Sequence, residues 1–236
     1  MPLRRVFPRI LFRVSSRTVS RAVSPAVLRA CLLGLLLTAG AVAAQLTREQ
    51  ALAALDSPNA AARREAVTEL GRSGGMADAG ALLEHLRDED ADVRTLAERA
   101  VWQVWARSGD PQVDDLLQRG IRHMEDGQMG QAVDAFTRAI DLRPDFAEGW
   151  NKRATAYYLI GDYDQSLKDC DEVIERNPSH FGALSGYGLI YVQLGELERA
   201  LEYFERALDI NPNLEGVEQS IALIRYRLGQ SGKQSI

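Results

Sequence analysis

The sequence has few of the residues that build catalytic and metal sites. Its 236 residues include two cysteines and three histidines, and the histidines lie far apart, at His85, His123 and His180. None of them has a second ligand at a spacing typical of a metal site. The motifs GxxxxGKS/T, GxSxG and HExxH are absent. The sequence therefore predicts a protein that is not an enzyme and binds no metal or cofactor.

Residues 1–44 contain no acidic residue and no lysine, but they hold seven arginines. The segment ends in an apolar run that begins at Cys31 and passes into small residues up to Ala44. A basic start, a short apolar core and small residues at the end are typical of a secretory signal peptide. We therefore expect cleavage after Ala44 and a mature protein in the periplasm.

Two other interpretations of this segment stay open. Residues 26–44 contain one arginine and are just long enough to span a bilayer, which would leave an uncleaved anchor in the inner membrane with the rest facing the periplasm. A segment rich in Arg and Ser and without acidic residues is also typical of a mitochondrial transit peptide.

The remainder of the chain is acidic. Removing the seven N-terminal arginines from the 28 basic residues leaves 21 against 33 acidic residues, a formal net charge of −12. Such a charge disfavours non-specific binding to nucleic acid or anionic lipid. The mature chain would retain one cysteine, Cys170, so it could form no intramolecular disulfide.

A unit of 34 residues occurs three times in the second half of the chain. Pro144, Pro178 and Pro212 mark its period. A fixed period of this length is the signature of a repeat protein. Four further columns keep their residue type or size, namely Gly127/Gly161/Gly195, Gly120/Ala154/Gly188, Ala132/Ser166/Ala200 and Phe136/Cys170/Phe204.

Each copy reads as two helices joined by a tight turn. Apolar residues at helical spacing fill both halves, a glycine stands between them where a left-handed residue ends the first helix, and a proline closes the second. Small residues such as Gly188 are expected where the two helices cross closely. Cys170 replaces a phenylalanine in its column, which indicates a buried thiol rather than a reactive one.

These columns resemble the tetratricopeptide repeat (TPR) family. The third copy carries the pattern in Leu184, Tyr187, Gly188, Tyr191, Ala200, Phe204 and Pro212, and the second in Trp150, Ala154, Tyr157, Ser166, Cys170 and Pro178. The resemblance implies an all-α, right-handed α-solenoid. Its TPR domain would cover residues 111–228, with repeats at 113–146, 147–180 and 181–214, a capping helix at 215–228 and a disordered tail at 229–236.

Residues 45–110 resemble HEAT-like helical hairpins. Two segments that begin at Leu55 and Leu86 align at a spacing of 31, and Asp92 and Arg94 would tie neighbouring units together. A plain pair of hairpins packed on the first repeat is the alternative. Because the connection at residues 108–111 is short, we expect both parts to form one continuous solenoid.

Three smaller features lead to local predictions. Trp102 and Trp105 share one side of a helix, where they either pack against the start of the repeats or contact a partner. His180 follows Pro178 in a loop, a position that indicates exposure to solvent. Asp88, Asp90 and Asp92 resemble the start of a calcium loop, but the required glycine and closing glutamate are missing, so we interpret them as a solvated helix start.

The concave surface of such an array is the predicted binding site. The resemblance implies a groove lined by the first helix of each repeat, and its mixed apolar and amide character suits a peptide or helix of a partner protein. Some family members bind a C-terminal carboxylate with a set of Lys, Asn and Arg side chains. That set is missing here, because Lys152 is the one cation at the matching positions and two of the others are Gly182 and Gly186. The predicted partner-binding residues are Leu117, Ile121, Met124, Asn151, Lys152, Thr155, Tyr158, Ser185, Leu189 and Val192.

Overall fold

Helices make up all the regular structure of residues 45–234, the part of the chain that the computed structural model describes. Side chains are described up to residue 230. No strand occurs in this range, so the predicted all-α fold class is confirmed. The predicted signal peptide, with its anchor and transit-peptide alternatives, lies outside the described residues.

Four α-helices and two short 3₁₀ turns form the N-terminal region. Polar residues start them where the sequence offers a cap: Thr47 and Gln50 form a capping box, and Asn59 and Asp90 each accept a backbone N–H of the following turn. The helices are α1 (Arg48–Ala54), α2 (Ala60–Ser73), α3 (Ala79–Glu84) and α4 (Ala91–Trp105), with 3₁₀ turns at Met76–Asp78 and His85–Arg87.

Three helical pairs and a final helix follow. In the second and third pairs, the first helix is capped at its C-terminus by Gly161 or Gly195. Their φ angles of 80° and 78° lie in the left-handed region that favours glycine. The pairs are α5 (Pro111–Glu125) with α6 (Met129–Leu142), α7 (Ala147–Ile160) with α8 (Tyr163–Arg176), and α9 (Phe181–Leu194) with α10 (Leu197–Ile210), before α11 (Glu215–Gln234).

The small residues lie where the two helices of a pair touch. A Cβ atom on Gly188 would come within 2.4 Å of the Phe204 ring, and one on Gly120 within 2.3 Å of the Phe136 ring. Both phenylalanines are fully buried. The glycine and phenylalanine columns of the sequence are therefore two sides of one contact.

Equivalent hydrogen bonds in the N-terminal region repeat at the spacing of 31 residues seen in the sequence. Arg63 donates to the carbonyl of Ser57 at 2.9 Å, and Arg94, 31 positions later, donates to the carbonyl of Asp88 at 2.8 Å. Carboxylates join the units: Asp88 accepts two hydrogen bonds from Arg63, and Asp92, the predicted residue, lies 3.3 Å from Arg64. The prediction that Asp88 is solvated is wrong, since its side chain is buried. The HEAT-like interpretation stays a prediction.

The N-terminal region packs against the third repeat, at a separation of more than a hundred residues in the chain. Arg87 donates to the carbonyls of Asp209 and Ile210 at the end of α10, and Asn213 Nδ2 donates to the carbonyl of Leu86 at 2.8 Å. Phe181, Leu184 and Ala207 belong to the same apolar core as α2 and α4.

Our expectation of a single solenoid that continues from the N-terminal helices needs correction at this point. Helices stacked in chain order would bring this region only to the first repeat. Instead, the apolar faces of α2 and α4 share a core with α9 and α10. The packing of buried Trp105 and partly buried Trp102 provides the physical reason, because the complementary aromatic surface lies at the start of α9.

The last helix covers the apolar end of the third repeat. Val217, Ile221 and Ile224 of α11 are buried against the core around Phe204. This is the arrangement expected of a capping helix. The helix runs to Gln234, so its backbone continues beyond the end predicted at residue 228, into the segment predicted as a disordered tail. Between residues 45 and 234, no helix has the length and apolar character needed to cross a bilayer.

Candidate functional site

Helix α4 covers one part of the surface formed by the first helices α5, α7 and α9. The Trp102 ring lies so close to Gly182 of α9 that a Cβ there would come within 2.4 Å of it. The same ring lies 5.8 Å from Lys152 Nζ of α7. The N-terminal region therefore covers part of the early turns of α7 and α9.

His180 lies at the centre of this contact. It is fully buried, its ring stacks on Trp105 at a centroid distance of 4.4 Å, and Trp102 meets it edge-on at 5.6 Å. Its Nδ1 accepts the N–H of Ala183 and caps α9. The prediction that His180 is exposed is therefore wrong. Of the two interpretations of Trp102 and Trp105, packing is correct, although the contact is with the third repeat.

The buried carboxylate of Glu148 joins His180 to α7. Because Nδ1 of His180 is an acceptor, its ring proton lies on Nε2, which donates to Glu148 Oε2 at 3.0 Å. Asn151 Nδ2 donates to the same oxygen at 2.9 Å, and Lys152 Nζ lies 2.9 Å from Oε1. Burial raises the pKa of Glu148, but the hydrogen bond from His180 and the charge of Lys152 together hold the pKa below its ordinary value.

This network occupies part of the predicted groove. Asn151 is buried and bonds Glu148, Lys152 is paired with Glu148, and Leu117 is buried in the core of the first repeat. These three side chains have partners within the chain. Their contact with a ligand stays a prediction, and the geometry gives them a structural role instead.

The uncovered part of the surface contains a cavity of about 140 Å³ between α7, α8 and α9. Five of the predicted groove residues line it, and Leu189 is the exposed apolar side chain among them. Two of the three glycines of α9, Gly182 and Gly186, line the cavity, and the sequence pattern does not predict the cavity itself. The lining residues are Asn151, Ala154, Thr155, Tyr158, Ser166, Cys170, Gly182, Ala183, Ser185, Gly186, Leu189 and Ile190.

Three of the four hydroxyl groups in the cavity wall donate to backbone carbonyls, and the fourth, that of Tyr158, accepts from Gln193 Nε2 at 3.4 Å. Thr155 donates to Asn151, Ser166 to Ala154 and Ser185 to Phe181, at 2.7–2.9 Å. The Cys170 thiol is buried, and this burial, followed by the charges of Asp169 and Asp171, raises its pKa to about 12. The cavity therefore offers few free donors and no thiolate, and its wall suits an apolar group.

The remaining three predicted groove residues lie at the sides of this surface. Ile121 and Met124 are partly buried and pack on the core of the first repeat, while Val192 packs on the core of the third. No group of three or more His, Cys, Asp or Glu side chains within residues 45–234 is arranged to hold a metal ion. The absence of a cofactor stays a prediction from the sequence.

Acidic and apolar side chains meet at the turns that follow the first helices. Asp126, Asp162 and Glu196 are exposed there: Asp126 directly follows α5, and Asp162 and Glu196 lie two residues after α7 and α9, at the starts of α8 and α10. The partial negative charge of a helix C-terminus adds to that of Asp126, whereas Asp162 and Glu196 lie at the positive N-termini of the next helices. Exposed aliphatic residues share these turns, namely Leu159, Ile160 and Leu194.

The comparison with protein families decides what the array is. The family model described as tetratricopeptide repeat matches residues 117–173 and, in a second register, residues 153–215. Residues 117–215 are tetratricopeptide repeats. Solenoids of this kind use their concave surface for binding, so the uncovered groove is the candidate binding surface of this TPR array.

Two TPR proteins are similar in sequence to part of this chain. A TPR repeat-containing protein of Rhizobium etli is 36% identical over 104 residues, which is 44% of this chain and 51% of that protein. The human small glutamine-rich tetratricopeptide repeat-containing protein beta is 38% identical over 58 residues, 25% of this chain and 19% of that protein. The chain thus spans about half the length of the first relative and less of the second.

A solved structure agrees in fold. The TPR domain of Sgt2 from Aspergillus fumigatus superposes with a TM-score of 0.50 and 20% sequence identity, over 52% of this chain and 83% of that domain. At this identity the likeness concerns the fold. It supports the α-solenoid that the repeat columns predict.

Proposed function

We propose that this chain is a non-catalytic scaffold or adaptor that binds a segment of a partner protein in the uncovered groove of its TPR array. The observation that carries the proposal is the cavity between α7 and α9, which opens beside exposed Leu189 and partly buried Tyr158, while α4 covers the early turns of these helices. A concave, mostly apolar cleft with few polar groups is typical of binding sites.

We further propose that this scaffold works in the bacterial cell envelope, most simply in the periplasm. The support is the sequence of residues 1–44, with seven arginines, no acidic residue and an apolar run that ends in small residues. The second candidate is a membrane-anchored structural subunit in which residues 26–44 stay attached. The apolar length of that stretch favours it.

The N-terminal residue of the protein from its own cell separates these two locations. Mass spectrometry of the intact protein should show Gln45 at the N-terminus if the segment is cleaved. An intact arginine-rich N-terminus in the membrane fraction would support the anchored subunit. A cytosolic protein that retains residues 1–44 would contradict both.

Site-specific photo-crosslinking tests the groove. A photo-reactive amino acid in place of Tyr158 lies beside the cavity, and the same amino acid in place of Tyr226 lies on the exposed outer face of α11. We expect a discrete adduct from position 158 that excess unlabelled protein displaces and that excess Leu189→Asp protein does not. Equal adducts from both positions would contradict groove binding.

A further inference from the structure

We infer, on the basis of the proposed function, that the partner inserts one apolar side chain of leucine or methionine size into the cavity, next to lysine or arginine residues of the partner. The size of the cavity, the chemistry of its wall and the charge around its opening support this inference separately.

The size of the cavity follows from residues that lack a side chain. Gly182 and Gly186 lie one turn apart on α9 and both line it. A Cβ on Gly186 would lie 3.7 Å from Cys170 Sγ at the cavity floor, an ordinary contact distance. The volume of about 140 Å³ is close to that of an apolar protein cavity of about 150 Å³ that accepts benzene. One large apolar side chain therefore fills it.

The wall of the cavity excludes a charged or strongly polar group. None of its lining residues, all of them described, carries a charge. The hydroxyls of Thr155, Ser166 and Ser185 already donate to backbone carbonyls. A charged group in the cavity would lose its water without gaining a partner, which is costly, whereas an apolar side chain would lose nothing polar.

The surroundings of the cavity favour a cationic partner. Asp162 and Glu196 are exposed at the ends of the two helices that border it, and Asp126 is exposed at the end of α5. The ion pair between Arg199 and Glu196 partly neutralises both groups, and Lys152 is held by Glu148, so Asp126 and Asp162 are the acidic groups that remain. With a net charge of −12 beyond residue 44, the field around the cleft attracts lysine and arginine.

A selection of random peptides displayed on phage, with the full chain as bait, tests this inference. Enriched peptides are synthesised with a fluorescent label, and their affinities are measured by anisotropy. Gly186→Leu places a side chain in the cavity. Gly229→Leu is its control, because Gly229 lies within α11 with nothing near its missing Cβ. Circular dichroism checks folding, and Gly186→Ala replaces the leucine variant if that variant unfolds.

We expect enriched peptides to share a leucine or methionine next to lysine or arginine, and to bind more weakly as the salt concentration rises. Alanine in place of the shared apolar residue should weaken binding by about tenfold or more, and so should Gly186→Leu, whereas Gly229→Leu should leave it unchanged. With Gly186→Ala the loss should be smaller but in the same direction.

Other outcomes overturn the inference in distinguishable ways. Peptides that bind Gly186→Leu as well as the wild type but lose binding to Leu189→Asp would leave groove binding intact and exclude the cavity as the anchor site. Peptides that tolerate both variants would contradict the proposed function as well. Enrichment of acidic peptides would also contradict the inference. So would a selection in which no peptide binds the wild type more tightly than Gly186→Leu.

Discussion

Two glycines of α9, Gly186 and Gly188, have different surroundings although they are two residues apart. A Cβ on Gly188 would collide with the Phe204 ring at 2.4 Å, but a Cβ on Gly186 would meet Cys170 Sγ at 3.7 Å. Both positions are inside a helix, where alanine is favoured over glycine by about 1 kcal/mol. The two positions therefore differ in the room that each leaves for a Cβ atom.

Alanine at these two positions should shift stability in opposite directions. Gly188→Ala should lower the free energy of unfolding by about 1–3 kcal/mol, because the buried ring must move. Gly186→Ala should leave it unchanged or raise it by up to about 1 kcal/mol. Urea denaturation followed by circular dichroism measures both values. Equal effects would mean that the helices of the third repeat do not cross at Gly188.

Glu148 should stabilise the fold in a manner that depends on pH. Its pKa in the folded protein lies below the ordinary value of 4.5, so its contribution is complete above that value and is lost as pH falls through the lower, folded-state pKa. We expect Glu148→Gln to lower the free energy of unfolding at pH 7 by about 1–3 kcal/mol, because buried donors lose a charged acceptor.

A series of urea denaturations at decreasing pH checks this dependence. The difference between wild type and Glu148→Gln should shrink as the pH is lowered below about 4.5. The control is Glu202→Gln, at an exposed position on the outer face of α10, which should show a small effect. A difference that is constant with pH would contradict the ionised, buried carboxylate.

Cys170 should resist thiol reagents while the protein is folded. The thiol is buried, and its pKa is raised to about 12, so the reactive thiolate is scarce at neutral pH. We expect slow modification at pH 8 in buffer and rapid modification in urea, followed by mass spectrometry of the peptide that contains Cys170. Fast modification in buffer would show that the cavity floor is open to solvent.

At the scale of elements, α4 shows where the sequence was sufficient and where it was not. The spacing of Trp102 and Trp105 correctly predicts that both lie on one side of the helix, since their rings meet at 5.4 Å. It cannot predict which distant surface they cover, because a linear pattern contains no information on pairing between elements. The position of His180 directly before α9 could have predicted that its side chain caps this helix and does not lie in solvent.

Removal of the Trp105 ring should strongly destabilise the protein. The side chain is buried between His180 and Phe181, and Trp→Ala substitutions in cores cost about 3–5 kcal/mol. Tyr226→Ala on the exposed face of α11 should stay within about 0.5 kcal/mol of the wild type. Urea midpoints measure both. A mild effect of Trp105→Ala would contradict the packing of α4 on the third repeat.

At the scale of the whole molecule, the period of 34 residues predicted the helical pairs. Each repeated position, such as the small residue that faces a phenylalanine, is required by contacts within a single repeat. The predicted groove was recovered in part. Thr155, Tyr158, Ser185 and Leu189 meet at the cavity, whereas Asn151 and Lys152 are engaged by Glu148. That difference arises from Glu148, which lies three and four residues before them on the same helix and is itself buried against His180.

The shared core should make the N-terminal region and the repeats unfold together. Phe181 and Leu184 of α9 belong to the same core as α2 and α4, so neither part is complete without the other. Tryptophan fluorescence of a Trp150→Phe variant, which reports on Trp102 and Trp105, and circular dichroism of the same variant should give coincident urea transitions. A fluorescence transition at lower urea would show that the N-terminal region is an independent unit.

The affinity of the protein for its crosslinked partner most directly tests the claim that the uncovered groove is the binding surface. Leu189 and Leu142 are exposed to a similar extent, but Leu189 borders the cavity and Leu142 ends α6. Leu189→Asp should weaken binding by about tenfold or more, and Leu142→Asp should leave it within about twofold of the wild type. Equal losses from the two variants, or none from Leu189→Asp, would contradict the claim.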